Sequence, residues 1–517
     1  MSILTECFRR QAKAAPEKTA VICDMESLSY QELYAQVSVF AQVFEQTGMK
    51  AEDKLGVLLP NGIDFVCVML AAAHLGIGLV PLNPTSPVKA VAAAFAAAGV
   101  RHVIGGAAAL NGLGEVEGVD GARLVLGTGR ENGHCILFRK MAEKIVPGEL
   151  ESRGDFDDLP YIFTMTSGST GEPKPIVLTQ RNKYLRARAA QELYGVTAAD
   201  RTLAATPLYH SLAERLVLLP LLTGGTSVIM VHFSASAWIR CVSEQRISFS
   251  IAVSSQLSQI ARVLTSPFLP DIGCLRCIVS SSALLETHVK KELLSKLKCD
   301  FHECYGTSEV AIVSDLDHQS ALRKTNSVGR AIPGVEIRIM REDGTVAGPG
   351  EPGEIICRTP MLFAGYYRLP AKTAEAVRDG FFHTGDAGYL DEEGFLYFLS
   401  RRKDIIITGG INVYPGDVEA EVLKLPGVLE CAAFPLPDER LGETVAVAVV
   451  MKPGASFDCR SARFHCAENM ADFQIPRNFF VVEELPRNAM GKLTKHKLSE
   501  RFAALADRGV MECRQKL

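Results

Sequence analysis

The stretch Thr166-Ser-Gly-Ser-Thr-Gly-Glu-Pro-Lys174 decides how this chain is read. It lies between two short apolar, β-prone runs, Tyr161-Ile-Phe-Thr-Met165 and Ile176-Val-Leu-Thr179. Within it Thr166, Ser167, Ser169 and Thr170 offer hydroxyls. Gly168 and Gly171 let the backbone curl so that several donors face one oxyanion. Lys174 closes the stretch with a full positive charge. That chemistry suits a polyphosphate. It is not a Walker-type P-loop, because no Gly-Lys-Ser/Thr follows. Taken alone it is equally a solvent-exposed Gly/Ser turn, so the surroundings must decide.

Upstream, helical and strand patterns alternate. Tyr30 to Phe44, Gly62 to Leu75 and Val88 to Ala98 carry helical periods, and Lys54–Leu59, Gly78–Leu82 and Val100–Ile104 read as strands. This is the βαβ rhythm of a parallel sheet covered by helices. Residues 105–155 are poorer in pattern and read as surface structure leading to the loop. Downstream the alternation resumes, with helices at 182–193, 236–244, 255–264 and 285–297 and strands at 227–231, 248–253 and 277–280. From about residue 326 short strands with Gly/Pro turns signal an antiparallel, barrel-like subdomain. The charges of Ser400-Arg-Arg-Lys-Asp404 mark a linker, after which a compact α+β unit with a basic tail follows.

Composition bounds the reading. A chain of 517 residues exceeds one hydrophobic core, so two or three domains are expected. Its 47% hydrophobic and 22% charged residues describe an ordinary globular protein. A formal net charge of -4 without a basic block argues against nucleic acid as partner. Met1 to Arg10 lacks an apolar secretory core, and Phe65 to Leu82 is interrupted by His74, Gly76 and Gly78, so it reads as a buried helix and strand. No transmembrane segment and a cytoplasmic location are expected. The 14 cysteines, scattered along the chain, are then mostly reduced and buried, and Cys274-Leu-Arg-Cys277 reads as core strand in preference to a zinc site.

Further stretches carry chemistry. Pro207-Leu-Tyr-His210 ends in a histidine whose plain reading is structural. Glu303-Cys-Tyr-Gly-Thr-Ser-Glu309 brings together Tyr305, Gly306, Thr307 and Glu309: an aromatic that can stack on a purine and a carboxylate that can hold Mg²⁺. Asp386, in Phe382-His-Thr-Gly-Asp386, can accept from ribose hydroxyls or close a turn. Gly409-Gly410 permits close backbone approach, and Pro486-Arg-Asn-Ala-Met-Gly-Lys492 sets a lysine on a glycine turn.

In order and spacing these motifs resemble the ANL superfamily of adenylate-forming enzymes, which includes acyl- and aryl-CoA synthetases, over residues 28–498. The resemblance implies a large N-terminal α/β domain of helix-covered sheets with the β-barrel-like subdomain (1–402) and a small mobile α+β C-terminal domain (403–517). It implies that Thr166 to Lys174 holds the β- and γ-phosphates of ATP. Thr166 and Glu309 would place Mg²⁺, Tyr305 would stack on adenine, and Asp386 and Arg401 would hold the ribose. Lys403 matches the hinge. Lys492 would bridge carboxylate and α-phosphate, His210 would gate the acyl site, and Gly409-Gly410 would line the pantetheine tunnel.

Departures from the family pattern are Pro175 and Gln180 after the loop, Ser281-Ser282-Ala283 in place of Gly-Gly-Ala, and Ser254-Ser255 in place of Pro-Pro. The last two lie on walls of the implied acyl pocket and favour a more polar or unusual acid. The expected reaction is activation of a fatty or aryl acid, with hydroxylated acids open, followed by transfer to coenzyme A. His210 stands where amino-acid-activating domains keep Asp, which disfavours α-amino acids. The alternative acceptor is a carrier-protein phosphopantetheine, supplied in trans because no Asp-Ser-Leu-type site follows Lys492. A silent ligand-binding relative is the reading from another class. A monomer or homodimer is expected.

Overall fold

The computed structural model describes residues 2–113, 119–126, 135–167, 173–265, 269–487 and 493–506. Two compact units emerge, one of residues 1–336 and 358–382, the other of residues 337–357 and 383 onward.

The first unit contains two large sheets. In one, the strands Asp300–Thr307, Cys277–Ser281, Phe249–Val253, Arg201–Ala204, Thr226–Ile229 and Thr19–Cys23 run parallel in that spatial order. In the other, Cys135–Leu137, Arg123–Leu126, His102–Gly106, Lys54–Leu58, Gly78–Pro81 and Pro160–Ser167 do the same. Continuous apolar runs suit strands covered on both faces. The helix Ile63–Leu75 touches strands of both sheets and is apolar all round, which explains the long hydrophobic stretch. Among the described residues no helix is long and apolar enough to cross a membrane.

The segment read as surface structure corrects that expectation. Arg123–Leu126 and Cys135–Leu137 add two parallel strands to a sheet edge, too short for a periodic signal. Cys277 lies on a buried strand and Cys274 in the turn before it, and 11 of the described cysteines are free.

At one edge of each sheet the last parallel strand reverses into an antiparallel partner. Pro160–Ser167 pairs with Pro173–Thr179, and Asp300–Thr307 pairs with Ala311–Leu316. Thr166 and Lys174 of one polar motif, and Tyr305 and Glu309 of the other, lie at these reversals.

In the second unit, the antiparallel pairing expected beyond residue 326 appears between residues 386–390 and 396–401. A separate five-stranded sheet follows. Ile411–Val413, Ile406–Thr408, Gly442–Met451 and Val428–Asp438 pair in that order, with Asn478–Val481 parallel to Gly442–Met451. Its core gathers Ile406, Val418, Val422, Val447, Val449 and Phe479.

Candidate active site

In open α/β sheets, ligands settle beyond the carboxyl ends of parallel strands. Several of the first unit's described candidate residues sit there. Thr166 ends one strand, His210 follows Arg201–Ala204, Ser281 ends Cys277–Ser281, and Tyr305 lies near the end of Asp300–Thr307.

Lys174 stands opposite Thr166 in the first reversal. Gly168, Ser169, Thr170 and Gly171 lie outside the described residues, as do the side chains of Thr166 and Ser167. The Lys174 ammonium sits 3.8 Å from the ring centroid of Tyr366. Partial burial lowers its pKa, and the Glu309 carboxylate opposes that shift.

Glu309 belongs to the second reversal. Its Oε1 accepts from the Tyr366 hydroxyl at 3.0 Å, and among the described residues its other oxygen accepts no hydrogen bond. Burial, then Glu309, pushes the Tyr366 phenol far above its usual range, so it stays a donor. The main chain of 363–367 stitches the two reversals together. Val177 N donates to Gly365 O, Tyr367 N to Pro175 O, and Phe363 N to Glu309 O at 2.7 Å.

Gly306 is dictated by space, since a Cβ there would lie 1.6 Å from Ala311 O, where the ladder register shifts. Tyr305 lies on the strand opposite Ser314. The Thr307 hydroxyl is buried with no hydrogen-bond partner among the described residues. The same holds for Nε2 of His210, whose ring packs 4.7 Å from that of Tyr209. Burial pulls the His210 pKa down to about 4, so the imidazole is neutral near pH 7.

The two departures on the implied acyl wall meet each other. Ser254 Oγ donates to Ala283 O. Between Ser281 and Ala283, Ser282 is held at φ 78°, a left-handed conformation that a glycine adopts without strain.

In the second unit, Asp386 and Arg401 face each other across an antiparallel pair, with Arg401 Nε 3.3 Å from Asp386 Oδ1. Lys403 is exposed in the short helix Arg402–Asp404, between strands. Gly409 and Gly410 have φ 57° and 81° and form the two-residue turn of the hairpin joining Ile406–Thr408 to Ile411–Val413. That turn by itself accounts for both glycines. Lys492 lies outside the described residues. Beside it, Thr494 donates through its N–H and hydroxyl to Pro486 O, and Lys495 pairs with Glu419 at 2.6 Å.

The sequence profile of the AMP-binding enzyme family matches residues 8–367, and that of the AMP-binding enzyme C-terminal domain matches residues 417–492. The chain belongs to the AMP-binding enzyme family. It is 30% identical to 2-succinylbenzoate–CoA ligase of Geobacillus kaustophilus, over 96% of this chain and 98% of that one. It is 29% identical to a long-chain-fatty-acid–CoA ligase of Mycobacterium tuberculosis, with the same coverage. O-succinylbenzoate coenzyme A synthetase from Bacillus subtilis, solved with ATP and magnesium ion, superposes with a TM-score of 0.84 at 26% identity. That match covers 95% of this chain and 98% of the other. The family places the chain among the adenylate-forming enzymes of the ANL superfamily, as an AMP-forming acid–thiol ligase.

Enzymes of this family use MgATP, and the donor set here fits the ion. Among the described residues no three His, Cys, Asp or Glu converge. A single carboxylate, Glu309, with hydroxyls nearby in sequence suits Mg²⁺, which binds through one or two carboxylates and substrate phosphates while keeping water.

Two residues escaped the sequence reading. Tyr366, in Phe363-Ala-Gly-Tyr-Tyr367, has only its place after a glycine as a signal. Arg186 lies on the helix Gln180–Tyr194, whose buried positions include Gln180, Lys183, Arg186, Ala187, Ala190 and Tyr194. Polar residues on the inner stripe read as an exposed face.

Proposed function

We propose that this enzyme joins a hydrophobic or aryl carboxylic acid to ATP, releases pyrophosphate, and passes the acyl group from the adenylate to coenzyme A. The observation that carries this reading is the cluster of Lys174, Tyr366 and Glu309 at the two strand reversals, beside the Ser/Thr/Gly loop.

The roles follow from charge. A carboxylate approaching an α-phosphate brings two anions together, and pyrophosphate departs with more charge. Fixed cations and loop amides aimed at those oxygens supply the electrostatic stabilisation, and positioning supplies most of the remainder. In this reading Lys174 and residues 166–171 hold the β- and γ-phosphates, and Tyr305 stacks on adenine. Asp386 and Arg401 hold the ribose, and Lys492 bridges the two reacting anions. Thr166 and Glu309 would hold Mg²⁺, which neutralises phosphate charge when bound.

The thiol then attacks the acyl carbonyl and AMP leaves, with residues 403–517 turned about Lys403 so that Gly409-Gly410 line the pantetheine path. A neutral His210 at the acyl site suits an uncharged acyl chain better than an ammonium. Ser281 and Ser282 keep a hydroxylated acid within reach.

ATP–pyrophosphate exchange over a panel of fatty, aryl, hydroxyaryl and amino acids, each repeated with coenzyme A, tests the proposal. Exchange with a fatty or aryl acid and thioester formation with coenzyme A is the expected result. Exchange without thioester, rescued by holo-carrier protein, would replace the acceptor.

A further inference from the structure

Arg186 is 3% exposed, and its guanidinium meets main-chain carbonyls. Nη1 donates to Ser308 O at 2.9 Å, and Nη2 donates to Glu309 O at 2.8 Å and to Met361 O at 3.0 Å. Nε also reaches Met361 O at 3.3 Å. Among the described residues no carboxylate lies within ion-pair distance. The neighbouring Glu214 is engaged by Lys183.

Burying a guanidinium without a counter-ion is costly, and these bonds offset only part of that cost. A simple tie between two loops needs no charge. One turn earlier on the same helix, the neutral amide of Asn182 makes such a tie to Leu362 O at 2.9 Å. The charged residue is the one that grips both sides of Glu309. The segment starting at Met361 continues to Phe363, which donates to Glu309 O, and to Tyr366, which holds the Glu309 carboxylate. Three ties therefore fix one carboxylate from behind, and Arg186 joins the two backbone segments involved.

We propose that Arg186 is the positioning residue for Glu309: by clamping the carbonyls of Ser308, Glu309 and Met361 it sets the carboxylate and its Tyr366 partner for the cation that accompanies ATP. This rests on the reading of Glu309 as the residue that meets that cation. Arg186 touches no reacting atom. It acts through the geometry of Glu309, and its positive charge balances the site before the cation arrives.

The test is equilibrium binding of ATP by calorimetry at a series of Mg²⁺ concentrations, which needs no knowledge of the acid. Wild type, Arg186→Lys, Glu309→Gln and the double variant are compared, with Asn182→Ala as the control for loss of a neutral tie. Arg186→Lys keeps the charge but cannot span three carbonyls. It is expected to raise the Mg²⁺ concentration for half-maximal ATP binding by about tenfold, as partners behind a metal ligand do. In the Glu309→Gln background the same change should add little, because the residue it positions has lost its charge. Asn182→Ala should leave the Mg²⁺ dependence unchanged.

A Mg²⁺ dependence of Arg186→Lys equal to wild type, or full additivity with Glu309→Gln, overturns the proposal. Arg186→Gln, which retains donors, serves if the lysine variant does not fold. Failure of both to fold would assign Arg186 to the fold alone and overturn it too. A wild type that binds no ATP at any Mg²⁺ concentration would overturn the adenylation reading together with the inference, whereas normal wild-type binding isolates the inference.

Discussion

The hydroxyl of Tyr366 donates to Oε1 of Glu309 at 3.0 Å, although the two residues are 57 positions apart. The same phenol ring lies under the Lys174 ammonium. One aromatic side chain thus sets the spacing between a cation and a carboxylate that come from the edges of two different sheets.

Tyr366→Phe keeps the ring under Lys174 and removes only the bond to Glu309. A hydrogen bond to a charged group contributes about 1.5–3 kcal/mol, so kcat/KM for MgATP should fall about ten- to hundredfold. Glu309→Gln should weaken Mg²⁺-dependent turnover at least as much. Pyrophosphate-exchange kinetics at varied Mg²⁺ check both, and unchanged rates would remove the pair from the metal site.

Lys183 and Glu214 form an ion pair in which both side chains are almost wholly buried. Glu214→Gln should destabilise the first unit by about 3–5 kcal/mol, because it leaves the lysine charge buried and unpaired. Replacing both residues with methionine should cost far less. Urea unfolding of the single and double variants measures the difference. Equal losses would show that the pair does not act as a unit.

Ser282 occupies a left-handed conformation at φ 78°. Such backbone costs a non-glycine residue about 1–2 kcal/mol, so Ser282→Gly should raise the unfolding midpoint by a similar free energy. If the serine is kept for its hydroxyl, the same variant should also change the ranking of acids in the exchange assay. A stability unchanged or lowered by glycine would contradict the strain.

How much of this could be read from residues alone depends on the kind of signal. The parallel sheets were legible because Lys54–Leu58 or Phe249–Val253 alternate with helices of plain period. The stretch at 166–174, Tyr305 and Gly306 stand out as dense local motifs, and of these the structure sets Thr166 opposite Lys174 and puts Tyr305 and Gly306 on a strand that pairs antiparallel with Ala311–Leu316. Tyr366 and Arg186 were not legible, because their bonds to Glu309 span 57 and 123 positions of sequence. Arg186 also sits on an inner helix face whose polar residues mimic a solvent face. The Gly409-Gly410 pair shows the opposite limit, a sequence signal that a hairpin turn explains without any ligand.

His210 supplies a pH dependence. Its pKa in the folded chain is pulled down to about 4 by burial, below the value of about 6.5 for an exposed imidazole. The unfolded chain therefore takes up the proton first. The stability linked to His210 is present above about pH 6.5 and is lost as pH falls toward 4, at up to about 1.4 kcal/mol per pH unit. His74 is lowered to about 4 as well and adds to the slope. His210→Gln should make the acid side of the stability profile shallower, as followed by urea midpoints between pH 7 and 5. A profile parallel to wild type would mean that the His210 ring is protonated or solvated in the folded enzyme.

In the proposed reaction one enzyme makes an acyl-adenylate and then transfers its acyl group to a thiol. The most direct measurement is a single turnover with the best acid of the panel and MgATP but no coenzyme A, analysed by mass spectrometry, followed by addition of coenzyme A. An enzyme-bound acyl-adenylate should form in stoichiometric amount and disappear as acyl-CoA and AMP form. Lys492→Ala should fail to form the adenylate yet convert supplied acyl-adenylate to thioester. ADP in place of AMP and pyrophosphate, or thioester formed without passage through the adenylate, would contradict the proposed reaction.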